Sequence, residues 1–187
     1  KLDILAIGAH PDDVELGCGA TIAKEIANGK KVGIIDLTRG ELGTRGTAET
    51  RDEESIKAAK ILGIVTRTNM EFADGFFIND KLHQLELIKM IRKYRPEIIL
   101  CNAIDDRHID HAKGSNLVSD ASFLSGLLKI DTKNPESKEP ETPISSSNFT
   151  DSIAYRARDL GRLINVEHAE GFTVERYVAV DSLYDLK

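Results

Sequence analysis

Gly8-Ala9-His10-Pro11-Asp12-Asp13-Val14-Glu15 follows an apolar run, Leu2 to Ile7, and precedes Gly17 to Asn28. The run reads as a buried strand, continued to Ala9, and a helix is expected from about Cys18 to Asn28 with Gly29 as its stop. A histidine and two adjacent carboxylates therefore stand at the carboxyl end of a strand, in the turn that starts a helix. In open α/β sheets that turn is where ligands bind. Imidazole nitrogen and carboxylate oxygen together suit zinc and related divalent metals. A second cluster, Asp105-Asp106-Arg107-His108-Ile109-Asp110-His111, follows another apolar strand that ends at Cys101. The two turns are expected to meet across one metal ion. A plainer reading of the first turn is capping, since Asp12 with Glu15 three residues on matches a capping box. Capping leaves His10 and the second cluster unexplained.

Between these clusters the pattern alternates. A strand is expected at Lys31 to Leu37, a glycine-rich connection at Thr38 to Thr47, and a helix from Glu49 to Leu62 closed by Gly63. A short strand near Asn69 to Phe72 follows. A third helix spans Asp80 to Tyr94, with Asp80 as cap, Pro96 as stop, and Leu82, Leu85, Ile88 and Ile91 as its core stripe. His83 on that helix reads as a solvated surface histidine. A strand at Glu97 to Cys101 and a helix from Asp110 to about Leu128 complete the fourth unit. Strands alternating with helices predict an α/β, Rossmann-like three-layer sandwich, a mostly parallel sheet with helices on both faces. In the order 3-2-1-4 the two charged turns flank the point where the sheet changes direction. After Ile130 the composition shifts. Asp131 to Asn148 holds three of the five prolines and reads as a linker, followed by a helix at Thr150 to Ile164 and a strand at Phe172 to Val180.

The length, 187 residues, fits a single domain spanning 1–187. Hydrophobic residues make up 41% and charged residues 30%, values of an ordinary soluble protein. With no membrane-length apolar run and no signal-peptide pattern before Leu2, a cytoplasmic location and no membrane partner are expected. A formal net charge of -6 and the absence of tryptophan argue against nucleic acid as partner. Cys18 and Cys101 show no paired-ligand spacing and read as small buried apolar residues.

A catalytic zinc keeps three protein ligands and one open position for water, whose pKa it lowers to about 7. His10, Asp13 and His111 are the candidate ligands. Asp12, beside a ligand and pointing elsewhere, can act as base. His108 and Asp110 form a separate pair, a carboxylate orienting a proton-donating histidine. Arg51 and Arg107 can grip an anionic substrate through forked hydrogen bonds. For Arg51, followed by Asp52, Glu53 and Glu54, a helix-end ion pair is the competing reading. Gly17-Cys18-Gly19 with Asp36 faintly matches a dinucleotide fingerprint, but Asp12 and Asp13 would repel a pyrophosphate and the third glycine is missing.

At Ala9 to Glu15, with His108-Ile109-Asp110-His111, the sequence resembles the PIG-L/LmbE-type zinc-dependent N-deacetylases, which remove acetyl groups from N-acetylglucosamine compounds. Through Asp36 to Leu42, Thr47 to Glu54 and Ala169 to Phe172 it most resembles the bacillithiol biosynthesis deacetylases, which act on N-acetylglucosaminyl malate. The resemblance implies His10, Asp13 and His111 as zinc ligands, with another divalent ion such as Fe2+ as an alternative metal. It implies Asp12 as base, His108 with Asp110 as a charge-coupled pair, and Arg51 and Arg107 near a small amino-sugar substrate. It also implies a homo-oligomer. The alternatives are another N-acetyl sugar, such as a chitooligosaccharide or a glycolipid, or a metal- or nucleotide-binding module without turnover. The sequence departs from the family twice. No further strand and helix stands near 130–134, so the loop is shortened or a segment is missing there. Phe149 stands where some relatives place an oxyanion-binding tyrosine.

Overall fold

The structure, a computed structural model, describes residues 1–44, 46–132 and 182. All but Ser182 lie in the first of two compact units, Lys1–Ser137. The expected helix at 150–164 and strand at 172–180 fall outside the described residues. Four strands and four helices alternate: β1 (Ile4–Gly8), α1 (Asp13–Ala27), β2 (Val32–Thr38), α2 (Ala48–Leu62), β3 (Thr66–Phe72), α3 (Lys81–Tyr94), β4 (Ile98–Cys101) and α4 (Ile109–Ser125). The strands form one parallel sheet in the order β3-β2-β1-β4, as the alternation predicts. β1 and β2 are buried throughout, as expected of central strands covered on both faces. Helices α1 and α2 pack together, as do α3 and α4. Leu2, Leu5, Ile7, Ile35, Leu37, Phe77, Leu87, Ile88, Ile91, Leu117, Val118 and Ala121 form a buried hydrophobic cluster. No helix among the described residues is long and apolar enough to cross a membrane.

Several local expectations need correction. Helix α1 begins at Asp13, five residues before the expected start, and bends at Cys18, where φ is -147° between two glycines. Asp12 precedes it with φ 141° and makes no side-chain cap bond, so the capping-box reading fails. Thr47 caps α2 by accepting from the Thr50 N–H at 3.2 Å, and Asp80 caps α3 by accepting from the His83 N–H at 3.0 Å. Helix α2 buries no residue; Ile56 and Ile61 are exposed. On α3 the buried residues are Leu87, Ile88 and Ile91, while Leu82 faces solvent. Residues three apart on a helix step back by about 60° each time, so a strict row of threes winds off the buried face. His83 is half-buried, 2.7 Å from the Asp80 carboxylate and edge-on to Phe72. Cys101 is exposed rather than buried, and Cys18 is half-buried.

The strand ends that carry the two charged turns are tied together. The register pairs Ile7 with Cys101, which sets Asn102 beside Ala9. Asn102 accepts from the Ala9 N–H at 2.9 Å and donates to Asp13 Oδ2 at 3.1 Å. From the other neighbour strand, Thr38 donates to the Ala9 carbonyl through both its N–H and its hydroxyl, each at 2.9 Å. The chain thus leaves β1 at a fixed angle into His10.

Candidate metal centre

The turn after β1 and the start of α4 converge as the two clusters predict. Asp13 stands between two histidines: Oδ2 lies 3.5 Å from His10 Nδ1 and Oδ1 lies 3.1 Å from His111 Nε2. The His10 N–H also donates to Asp13 Oδ2 at 3.0 Å. Gly8 permits this fold-back, because a Cβ there would lie 3.0 Å from Asp13 Cβ and 3.2 Å from the His10 carbonyl oxygen. The ring of His108 meets His10 edge-on and stacks on His111, each with centroids 4.7 Å apart.

Two carboxylates missed by the sequence reading join these contacts. Asp74 Oδ1 lies 3.1 Å from His10 Nε2. Asp106, part of the second cluster, lies 3.2 Å from His111 Nδ1. Asp74 belongs to the turn between β3 and α3, outside both clusters, and nothing in its sequence neighbours marks it. Asn102 did carry a signal, as a polar residue immediately after an apolar strand.

The Asp110 carboxylate does not orient His108, contrary to the expected pairing. It is fully buried and turned inward, accepting from the Gly75 N–H at 2.8 Å and Lys113 Nζ at 3.2 Å, with His10 Nε2 at 3.4 Å. His108 instead caps α4: its Nδ1 accepts from the Asp110 backbone N–H at 3.3 Å. A ring nitrogen that accepts carries no proton, so neutral His108 holds its proton on Nε2.

Burial alone would push the His10 imidazolium down. The hydrogen bond and charge of Asp13, the charge of Asp74 and the hydrogen bond of Asp110 outweigh burial and raise it to about 9. Burial pushes Asp13 up, but hydrogen bonds from His10 and Asn102 and the charge of His111 bring it down to about 2. Buried carboxylates that stay ionised and hold a proton on a histidine mark a place of strongly negative potential. Such a place favours a cation. Two imidazoles and a carboxylate also match the donor set of a catalytic zinc or similar divalent ion, so the residues fit a metal. Among the described residues, His10, His108 and His111 offer nitrogens close enough together for one ion, as do ligand atoms of His10, Asp74 and Asp110; Asp13 is in neither group and meets His10 and His111 pairwise.

Asp12 makes none of these contacts but faces the same cavity as His10 and Asp13. Its φ of 141° lies in a region that side-chain-bearing residues rarely adopt, the kind of backbone strain that collects at functional sites. The carboxylate is half-exposed and lines a cavity of about 600 Å3 with His10, Asp13, Arg51, Arg107 and His108. Burial and the neighbouring Asp13 push the Asp12 carboxyl above the usual range, while Arg51 pulls it down. Arg51 Nη1 stands 3.8 Å from Asp12 Oδ2. Its guanidinium rests on the glycine loop, where a Cβ at Gly40 (φ 66°) would come within 2.7 Å of it. Arg107 is exposed at the mouth of the same cavity. Asp36, the acid of the dinucleotide reading, is buried in a forked pair with Arg67 and reaches no ligand space.

The sequence profile of the family described as PIG-L, GlcNAc-PI de-N-acetylase, matches residues 5–122. The chain is 42% identical over 114 residues to an uncharacterized deacetylase, YaiS, of Escherichia coli, covering 58% of this chain and 61% of that protein. It is 32% identical over 134 residues to the diacetylchitobiose deacetylase of Thermococcus kodakarensis, covering 66% of this chain and 50% of that one. The chain therefore spans between 50% and 61% of the length of these two relatives. Among solved structures, a conserved protein of Thermus thermophilus, TT1542, matches with a TM-score of 0.68 at 30% identity. That match covers 97% of this chain and 98% of the other.

Proposed function

Because the chain belongs to the PIG-L family, we propose that it is a metal-dependent N-deacetylase that hydrolyses the acetamide of an N-acetylglucosamine conjugate. The observation that carries this reading is the meeting of His10, Asp13 and His111 beneath Asp12, which faces the cavity from a strained turn. His10, Asp13 and His111 would hold the metal, zinc or another divalent ion such as Fe2+. When bound, such an ion supplies Lewis acidity and makes water a nucleophile near neutral pH.

The chain's own residues do the rest. Asp12, which faces the cavity beside the proposed ligands, takes the proton from the attacking water. The same proton then passes to the leaving amine nitrogen as the C–N bond breaks, giving acetate and a free amino sugar. His108 offers its Nε2–H to the oxygen of the acetyl carbonyl as negative charge develops there. Its backbone-held Nδ1 fixes that tautomer without help from the Asp110 side chain.

Arg51 and Arg107 flank the cavity in an otherwise acidic chain, which supports an anionic aglycone such as the malate of N-acetylglucosaminyl malate, the substrate in bacillithiol biosynthesis. The likeness to a diacetylchitobiose deacetylase supports a neutral chitooligosaccharide instead. Acetate release from the malate conjugate, diacetylchitobiose and free N-acetylglucosamine separates the two. The malate conjugate is expected to have much the highest kcat/KM. Arg51→Ala should narrow its advantage over free N-acetylglucosamine about ten- to a hundredfold, the cost of one charge-assisted contact of about 1.5–3 kcal/mol. Equal cleavage of all three by the unaltered protein would remove the malate assignment and leave the deacetylase reading standing.

A further inference from the structure

Each histidine of the proposed ligand set has two ring nitrogens, and the structure gives them different partners. His10 Nδ1 faces Asp13, at 3.5 Å. Its Nε2 faces the other way, 3.1 Å from Asp74 Oδ1 and 3.4 Å from Asp110 Oδ2. An ionised carboxylate only accepts, so a ring nitrogen bonded to a carboxylate outside the ligand set carries a proton, whereas the nitrogen on the side of Asp13 faces another proposed ligand. A protonated nitrogen has no lone pair for a metal. His111 is arranged with the nitrogens exchanged: Nδ1 meets Asp106 and Nε2 meets Asp13.

Of the two acids on His10, Asp74 is the nearer. Asp110 lies farther off and shares its charge with Lys113. Asp74 is also joined to the loop at the cavity mouth. Its Oδ2 accepts from the Leu42 N–H at 2.9 Å, and its own N–H donates to Glu41 Oε1 at 2.8 Å. Gly40 and Gly43, on either side of that contact, are the glycines on which the Arg51 guanidinium rests.

We propose that Asp74 is a positioning residue: it holds the Nε2–H of His10, so that Nδ1 is the nitrogen presented to the metal, and it ties that ligand to the loop that seats Arg51. This rests on the reading of His10 as a metal ligand. Carboxylates that hold the far nitrogen of a metal-bound histidine fix its tautomer and orientation, and losing one weakens metal binding about 10- to 100-fold. Asp74→Ala removes both acceptors. Asp74→Asn keeps the shape but leaves one acceptor oxygen for two N–H donors, so it tests the same point where the alanine variant fails to fold.

Two measurements on the full chain decide it. Zn2+ affinity, read by competition with a chromophoric chelator, should fall about 10- to 100-fold in Asp74→Ala and by a smaller factor in Asp74→Asn. In the Zn2+-loaded unaltered protein, ring 15N spectra should show His10 with a proton on Nε2 and a metal-shifted Nδ1. Unchanged affinity in every variant that folds overturns the proposal, as does a His10 that binds Zn2+ through Nε2. If His10 shows no metal-shifted nitrogen at all, the metal assignment under the proposed function falls with it, which distinguishes the two failures.

Discussion

Asp12→Asn should lower kcat for acetate release by about 10^2- to 10^4-fold, the usual contribution of a positioned general base, while metal content stays at the level of the unaltered protein. The two neighbouring carboxylates are separated by the backbone itself. Asp13 turns under the strand end and is held by His10, Asn102 and His111. Asp12, forced to a positive φ, projects into the cavity toward Arg51. An amide at position 12 keeps size and shape but cannot take a proton, so KM should change little. Asp13→Ala and His111→Ala should show the opposite signature, with metal content lost along with activity. Metal analysis beside initial rates checks all three. An Asp12→Asn protein that no longer binds metal would mean that the two carboxylates exchange roles.

The largest expected effect on stability lies away from the site. Arg67 on β3 forms a forked pair with Asp36 of β2 at 2.7 and 2.8 Å and also bonds Glu15 of α1. Its side chain is 8% exposed and that of Asp36 is 2% exposed. Arg67→Met leaves a buried carboxylate without its counter-charge, which typically costs about 3–5 kcal/mol. Burial already pushes the Asp36 carboxyl up, and Arg67 pulls it back. Without the arginine, the folded-state pKa of Asp36 rises further above its unfolded value. The folded state then binds the extra proton in the window between those two values, so stability falls as pH rises through it. The deficit should therefore be largest at neutral pH and shrink as pH drops toward the unfolded pKa. Urea midpoints for both proteins across that range test the magnitude and the sign. Converting Asp36 to Leu in the Arg67→Met background should recover part of the loss.

The sheet order was legible because β1 and β2 are apolar almost throughout and each strand is followed by a helix-length segment. Both site turns were legible for a related reason: charged residues placed directly after a buried strand have no structural use for their number. The helix starts were less so. Pro11, Gly17 and Gly19 look like breakers, yet α1 runs through the glycines with a bend at Cys18. Ile56 and Ile61 are apolar but exposed, and no local pattern says which apolar stripe the fold will cover. The His108–Asp110 pairing failed because spacing two apart at a helix start does not decide which of two groups, side chain or backbone N–H, the histidine will meet. Asp74 was invisible, because its place beside His10 depends on how the turn after β3 folds over the end of β1.

Acetate release and bound metal, measured together on the same samples, decide whether the protein is a metal-dependent deacetylase. The protein as purified should release acetate from an N-acetylglucosamine conjugate. Chelator treatment should remove the metal and the activity in parallel, and stoichiometric Zn2+ or Fe2+ should restore both. Protein that holds one equivalent of metal and releases no acetate from the malate conjugate, diacetylchitobiose or free N-acetylglucosamine would contradict the account, as would full acetate release after the metal is gone.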